Sequence, residues 1–220
     1  VTDFRIGTNP NHEQLPLYPH ATISLEPGVT ILIGANGAGK TTLLNRLQET
    51  AQDMGWVTHA IDARATTAND LIGRAAWSGN VDSFNRAFGA KLSSEGQQIA
   101  YILGMESRAL SRPLSEAGDG PFLLAVDALD SGLDAHEISV FLDSCDWLVK
   151  ERKDSPTYAI VSSNTFEPVD WANRHDATVL AARTLKTVNL SDYPTWRKWI
   201  EHDSDAKYRR VERMAAKENR

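Results

Sequence analysis

The chain has 220 residues and a formal net charge of −6, with 41% hydrophobic and 24% charged residues. This is enough for one well-buried core but not for two full domains beside it, and the acidic balance speaks against a general nucleic-acid coat. No apolar run approaches the roughly 18 residues that a membrane-spanning helix requires, and no export signal opens the chain. The single cysteine, Cys145, cannot form an intrachain disulfide and reads as a small buried hydrophobe, which fits a reducing cytoplasm.

In chain order, the opening to Pro19 is polar and turn-rich. Ala21 to Leu25 reads as a strand with Ile23 and Leu25 on one face, and Glu26-Pro27-Gly28 is a tight turn. Val29 to Ile33 is a β-branched apolar run, the pattern of a strand covered on both faces. After a glycine-rich loop, Leu43, Leu44, Leu47, Ala51 and Met54 recur at helical spacing. Trp56 to Ile61 reads as a strand, followed by a polar, helical stretch to Phe88 and a helix from Ser94 to about Arg112. Ser115 to Pro121 reads as a loop, Phe122 to Val126 and Thr157 to Val161 as buried strands, and the helix after Asp134 carries Ile138, Phe141, Leu142, Cys145, Leu148 and Val149 on one face. Two further strands, Ala177–Ala182 and Lys186–Leu190, precede a basic C-terminal helix that reads as mainly solvated. Strands alternating with helices predict an α/β fold on a largely parallel sheet.

Between the second strand and the first helix, Gly34-Ala35-Asn36-Gly37-Ala38-Gly39-Lys40-Thr41 satisfies the P-loop pattern G-x-x-x-x-G-K-[ST] at every defined position. Glycines let successive backbone N–H groups turn toward anionic oxygens, and the helix that follows aims its positive end at them. Lys40 reaches β- and γ-phosphates, and the Thr41 hydroxyl suits Mg²⁺, so the loop predicts ATP with Mg²⁺. Asp127, at the end of the strand from Phe122, is the second predicted Mg²⁺ residue. Asp134 is placed to cap the following helix, with Glu137 three positions on.

Three ordered motifs resemble the ABC ATPase class. Gly34 to Thr42, followed by Leu43-Leu44, is similar to its Walker A; Ser94-Glu95-Gly96-Gln97, within Leu92–Gln97, is similar to its signature; Val126-Asp127-Ala128-Leu129-Asp130-Ser131-Gly132-Leu133-Asp134 is similar to Walker B running into the D-loop. The resemblance covers roughly residues 20–165. It implies one nucleotide-binding domain: an N-terminal β lobe with the P-loop (about 1–66), a reduced helical region with the signature (67–112), a lobe with Walker B, D-loop and switch loop (113–190) and a C-terminal basic helix (191–220). It also implies a head-to-tail homodimer around ATP, in which Ser94 and Gly96 touch the γ-phosphate held by the other subunit.

The chain departs from the class where water is activated. Ala128 stands where a glutamate is expected, and Asn164 where a histidine is expected. Either the natural protein is a slow ATPase or a pure ATP switch, or Ala128 replaces a native glutamate; in both cases hydrolysis as given should be weak, and Ala128→Glu should raise turnover if the missing carboxylate limits it, but leave it flat in a pure switch. The short stretch between Lys40 and Ser94 leaves little room for a transporter's docking lobe. The Ser93-Ser94-Glu95-Gly96-Gln97 signature, and Ser163-Asn164 in place of a histidine, more closely resemble the soluble group that includes the SMC, RecF and old-type nuclease ATPases, without the long coiled coil of SMC proteins. This implies an effector protein on another chain, acting in DNA processing, repair or phage defence, with nucleic acid reached through that partner and no membrane. The alternatives are a transporter's ATP-binding subunit and a nucleotide-regulated module without hydrolysis. Tyr18 and Arg5 are the candidates for the adenine contact.

Overall fold

A computed structural model describes residues 1–10, 15–63, 109–131 and 133–218. The described elements are β1 (Thr2–Arg5), β2 (Thr22–Leu25), β3 (Gly28–Ile33), α1 (Lys40–Asp53), β4 (Val57–Asp62), α2 (Ser111–Ala117), β5 (Phe122–Asp127), α3 (Ala135–Glu151), β6 (Thr157–Ser163), α4 (Glu167–His175), β7 (Thr178–Ala181), β8 (Lys186–Thr187) and α5 (Tyr193–Glu218). A six-stranded sheet has the order β4-β5-β6-β3-β7-β8, and β1 pairs with β2 in a separate small antiparallel sheet. Every strand of the large sheet runs parallel to its neighbours except β8. This is the expected α/β architecture, with a small N-terminal β unit beside the main sheet.

Strand residues alternate between two cores because side chains on a strand point to opposite faces. On one face Val29, Ile31 and Ile33 of β3 join Phe122, Leu124 and Val126 of β5, covered by Ile138, Leu142, Cys145 and Leu148 of α3 and by α4. On the other, Leu32, Leu123 and Ala125 pack under Leu43, Leu44, Leu47 and Ala51 of α1, with Phe4, Ile23 and Leu25 of the small sheet outside them. Burial on both faces explains why β3, β5 and β6 read as continuous apolar runs.

Helix α3 begins on a capping box. Asp134 accepts from the His136 and Glu137 amides at 2.8 and 2.9 Å, and its own amide donates to Glu137 Oε2 at 3.0 Å. Cys145 lies within the core, where burial and the neighbouring charge of Asp146 push its thiol up to about 12. It is therefore the inert, protonated thiol that its setting predicts.

Some segments differ from expectation. The polar opening contains β1, whose Phe4 is fully buried. Helix α2 runs to Ala117, inside the segment read as a loop from Ser115. Helix α4 was not anticipated; Glu167 and Asp170 in its first turn and Arg174 and His175 in its last complement its dipole. Met54 follows the end of α1 and is exposed, so it does not extend the buried stripe. The C-terminal helix is mainly solvated, as expected, but one side of it is anchored: Trp196 and Asp203 are buried, and Trp199 and Ile200 pack against the core. Ser94, Glu95, Gly96 and Gln97, with most of the 67–112 region, lie outside the described residues.

Candidate functional site

Parallel strands bring the C-terminal ends of β3, β5, β6 and β7 to one edge of the sheet. Chain direction across the sheet reverses at β3: it leads through α1 to β4 on one side, while β6 leads through α4 to β7 on the other. Such a switch point opens a crevice beyond the strand ends, and the loop Gly34–Gly39 occupies it.

The loop is tightly wound. A Cβ on Gly34 would come 2.8 Å from Ala38 Cβ, and Gly39 has φ 93° with Leu17 and the Tyr18 hydroxyl 3.1 Å from where its Cβ would stand. Glycine is required at both positions. Asn36 and Gly37 form the exposed tip, whereas Gly34, Ala35, Ala38 and Lys40 are buried. No side chain caps α1 and no acidic residue occupies its first turn, so its positive end is left to the loop. Lys40 opens α1 and is only 6% exposed. Its ammonium donates to Gly34 O at 2.6 Å, Ala35 O at 3.4 Å and Asn164 Oδ1 at 2.5 Å. These oxygens hold the charge at the seam between the loop and the end of β6.

Because β6 lies between β3 and β5, its last residues link the P-loop to the acidic end of β5. The Thr41 hydroxyl donates to Asp127 Oδ2 at 2.6 Å, and the Ser162 hydroxyl donates to Asp127 Oδ1. Ser162 Oγ in turn accepts from the Ala128 amide at 2.9 Å, and Ser162 O from the Leu129 amide at 3.1 Å. The Asn164 amide donates to Asp130 Oδ2 at 3.1 Å. Asp130 Oδ1 is buried and has no hydrogen-bond partner among the described residues. Ala128 sits in the left-handed region, φ 58°, and is 1% exposed.

Thr41 and Asp127 fit a divalent cation. Adjacent oxygens around Mg²⁺ lie about 3 Å apart, so hard oxygens at 2.6 Å require only a small spreading. Mg²⁺ retains several waters, so a site with two protein side chains suits it. No cluster of three or more His, Cys, Asp or Glu occurs among the described residues.

Several residues around the loop were missed by the sequence reading. Asp203 of α5 is 6% exposed; its Oδ2 accepts from the Ala35 amide at 2.7 Å and its Oδ1 from Arg183 Nε at 2.7 Å. The stem of Lys207 covers Gly37, where a Cβ would lie 3.2 Å from Cε. Arg210 donates to the Leu15 and Pro16 carbonyls. Nothing in the charged pattern of α5 distinguishes these residues from solvated neighbours. Tyr18 is 2% exposed and its hydroxyl donates to Gly39 O at 2.7 Å. Its ring is packed as a brace under the loop, not presented for stacking on a base. Arg5 lies exposed on β1, with its carbonyl bonded to Thr50.

No helix among the described residues is long and apolar enough to cross a membrane. No family model and no curated protein matches the chain. Among solved structures, the chain is similar to cbiO1 from Clostridium perfringens, part of the ABC transporter complex cbiONQ. The two are 13% identical over 85% of this chain and 86% of the other, with a TM-score of 0.47. It is also similar to the ATP-binding cassette MJ0796, a dimer in a post-hydrolysis state bound to ADP and Pi, at 13% identity over 81% and 92% of the chains and a TM-score of 0.44. A third similarity is to the ORC1 protein of Aeropyrum pernix in complex with DNA, at 16% identity over 83% of this chain and 45% of that one, with a TM-score of 0.37.

Proposed function

We propose that this chain is an ATP-binding, Mg²⁺-dependent P-loop ATPase or ATP switch. The observation that carries this reading is the placement of Lys40, held by loop carbonyls and Asn164 beside the Thr41–Asp127 pair. The residues from Gly34 to Thr42 would cradle the phosphates, with the ammonium of Lys40 exchanging its protein oxygens for β- and γ-oxygens. Thr41 and Asp127 would hold Mg²⁺, which when bound neutralises phosphate charge. Asn164, released from Lys40, would be left facing the γ-phosphate with an amide side chain that can hydrogen-bond it but cannot carry a proton as imidazole does.

The order of the three motifs supports a homodimer assembled head to tail around ATP. Ser94, Glu95, Gly96 and Gln97 of one copy would then complete the site of the other, and ATP, not ADP, would join the halves. Such a switch acts through an effector on another chain, for which DNA processing or defence is the reading the motif resemblance favours. ATP affinity of the Lys40→Ala variant, measured by equilibrium binding with Mg²⁺ present, tests the core of this reading. Loss of detectable binding is expected, because the substitution removes the cation beside the phosphate loop; unchanged affinity would overturn it.

A further inference from the structure

Helix cations elsewhere in the chain pair with an acid one turn away, as Lys150 does with Asp146 and Arg197 with Glu201. Lys207 of α5 does not. The acid one turn before it, Asp203, has its two oxygens taken by the Ala35 amide and by Arg183. Lys207 is half-buried and makes no hydrogen bond or ion pair among the described residues. Its stem lies instead on the phosphate loop. From the point where a Cβ on Gly37 would stand, Cε is 3.2 Å away and Nζ 3.6 Å.

This contact belongs to a row. Asp203, Lys207 and Arg210 stand at i, i+4 and i+7, a single stripe along α5. Asp203 holds the loop at the Ala35 amide, Lys207 covers its tip at Gly37, and Arg210 donates to the Leu15 and Pro16 carbonyls. Two residues beyond Pro16, the Tyr18 hydroxyl donates to Gly39 O and so supports the far end of the same loop. One face of α5 therefore reaches the loop directly and through the segment beneath it. Of the three side chains, Asp203 and Arg210 have their charges met by protein groups, and Lys207 does not. A half-buried ammonium in this position gains from an anion brought to the loop, because the attraction is less screened there than in open water.

We propose that Lys207 is a second cation of the phosphate site, supplied by α5, and that phosphate charge in the loop draws α5 more tightly onto it. This rests on the ATP reading above and adds to it a helix whose docking responds to the nucleotide. The coupling is reciprocal: whatever loosens α5 weakens ATP binding, and ATP firms the hold of α5 on the loop. Lys40 serves the phosphates from the first turn of α1, and Lys207 from outside the loop, over its exposed tip.

The test uses the full chain with Mg²⁺ and ATP, measuring equilibrium affinity and amide hydrogen exchange over residues 203–213. In the parent, ATP should slow exchange in that stretch. Lys207→Met keeps an apolar stem over Gly37 and removes the charge. Its ATP affinity should fall about tenfold, and the ATP-induced slowing of exchange should shrink in step. Lys207→Arg, which restores a cation, should recover most of both. Lys198→Met removes the same charge from an exposed position of α5 and should leave both at the parental values. Parental affinity and parental slowing in Lys207→Met overturn the proposal and leave ATP binding intact. So does an equal loss in Lys198→Met, which would make the effect one of overall charge, or faster exchange of 203–213 when ATP binds. A parent chain that does not bind ATP overturns the ATP reading itself, and this proposal with it.

Discussion

Two aspartates flank the P-loop, and they are used in opposite ways. Asp203 approaches it from α5 with both oxygens engaged, one by the Ala35 amide and one by the Arg183 guanidinium. Asp130 lies at the β5–β6 edge with one oxygen engaged and the other buried, without a partner among the described residues. A carboxylate with every lone-pair direction answered is a fixed strut, because moving it breaks charge-assisted bonds. A carboxylate left half-answered costs stability. The P-loop is thus braced on the side of α5.

The same chemical change at both positions sharpens this contrast, since Asp→Asn preserves shape and removes charge. At Asp130 an oxygen remains for the Asn164 amide, and the expected melting temperature is equal to or above that of the parent. A lowered melting temperature would show that the charge of Asp130 holds the fold as that of Asp203 does. At Asp203 the ion pair with Arg183 is broken while that guanidinium stays largely buried, which for buried pairs costs about 3 kcal/mol. Denaturant unfolding of Asp203→Asn should show that loss, together with weaker ATP binding because the Ala35 end of the loop is no longer anchored. Unfolding at the parental midpoint would show that α5 rests on the loop without holding it.

Dimerisation asks whether either aspartate acts alone. In the head-to-tail arrangement, Ser94→Arg should abolish the ATP-dependent dimer in sedimentation while leaving ATP binding by the monomer largely intact. An oligomer that ignores both ATP and this substitution would confine the contrast between Asp130 and Asp203 to a single chain.

The smallest expected effect is at position 128. Motif comparison alone predicts that Ala128→Glu raises turnover by about 10² to 10⁴. The packed surroundings of Ala128, which is 1% exposed, predict instead no gain and a loss of about 1–3 kcal/mol in stability. A large gain in single-turnover rate would place the base at position 128.

Local chemistry was enough for much of this molecule. β3, β5 and β6 were legible because strands buried on both faces leave an unbroken apolar run, and α3 because its 3.6-residue stripe starts on a residue that caps it. The P-loop was legible because its glycines, Lys40 and Thr41 are needed at fixed offsets by the backbone itself. Strand β1 was not: four residues in a polar opening carry no period of their own, and only pairing with β2 across a long loop buries Phe4. Tyr18 was legible as an aromatic near the loop but not as a brace, which depends on the Gly39 carbonyl lying within reach.

What only the tertiary structure decided are the partnerships between residues far apart in the chain. Asp130 meets Asn164 because β6 is inserted between β3 and β5, and Asp203 meets Ala35 because α5 folds back over the end of the sheet. Sequence alone sets which side chains can ionise, donate or accept. Which of those groups is answered and which is left bare follows from strand order and helix docking, because a hydrogen bond forms over about 3 Å of space irrespective of separation along the chain.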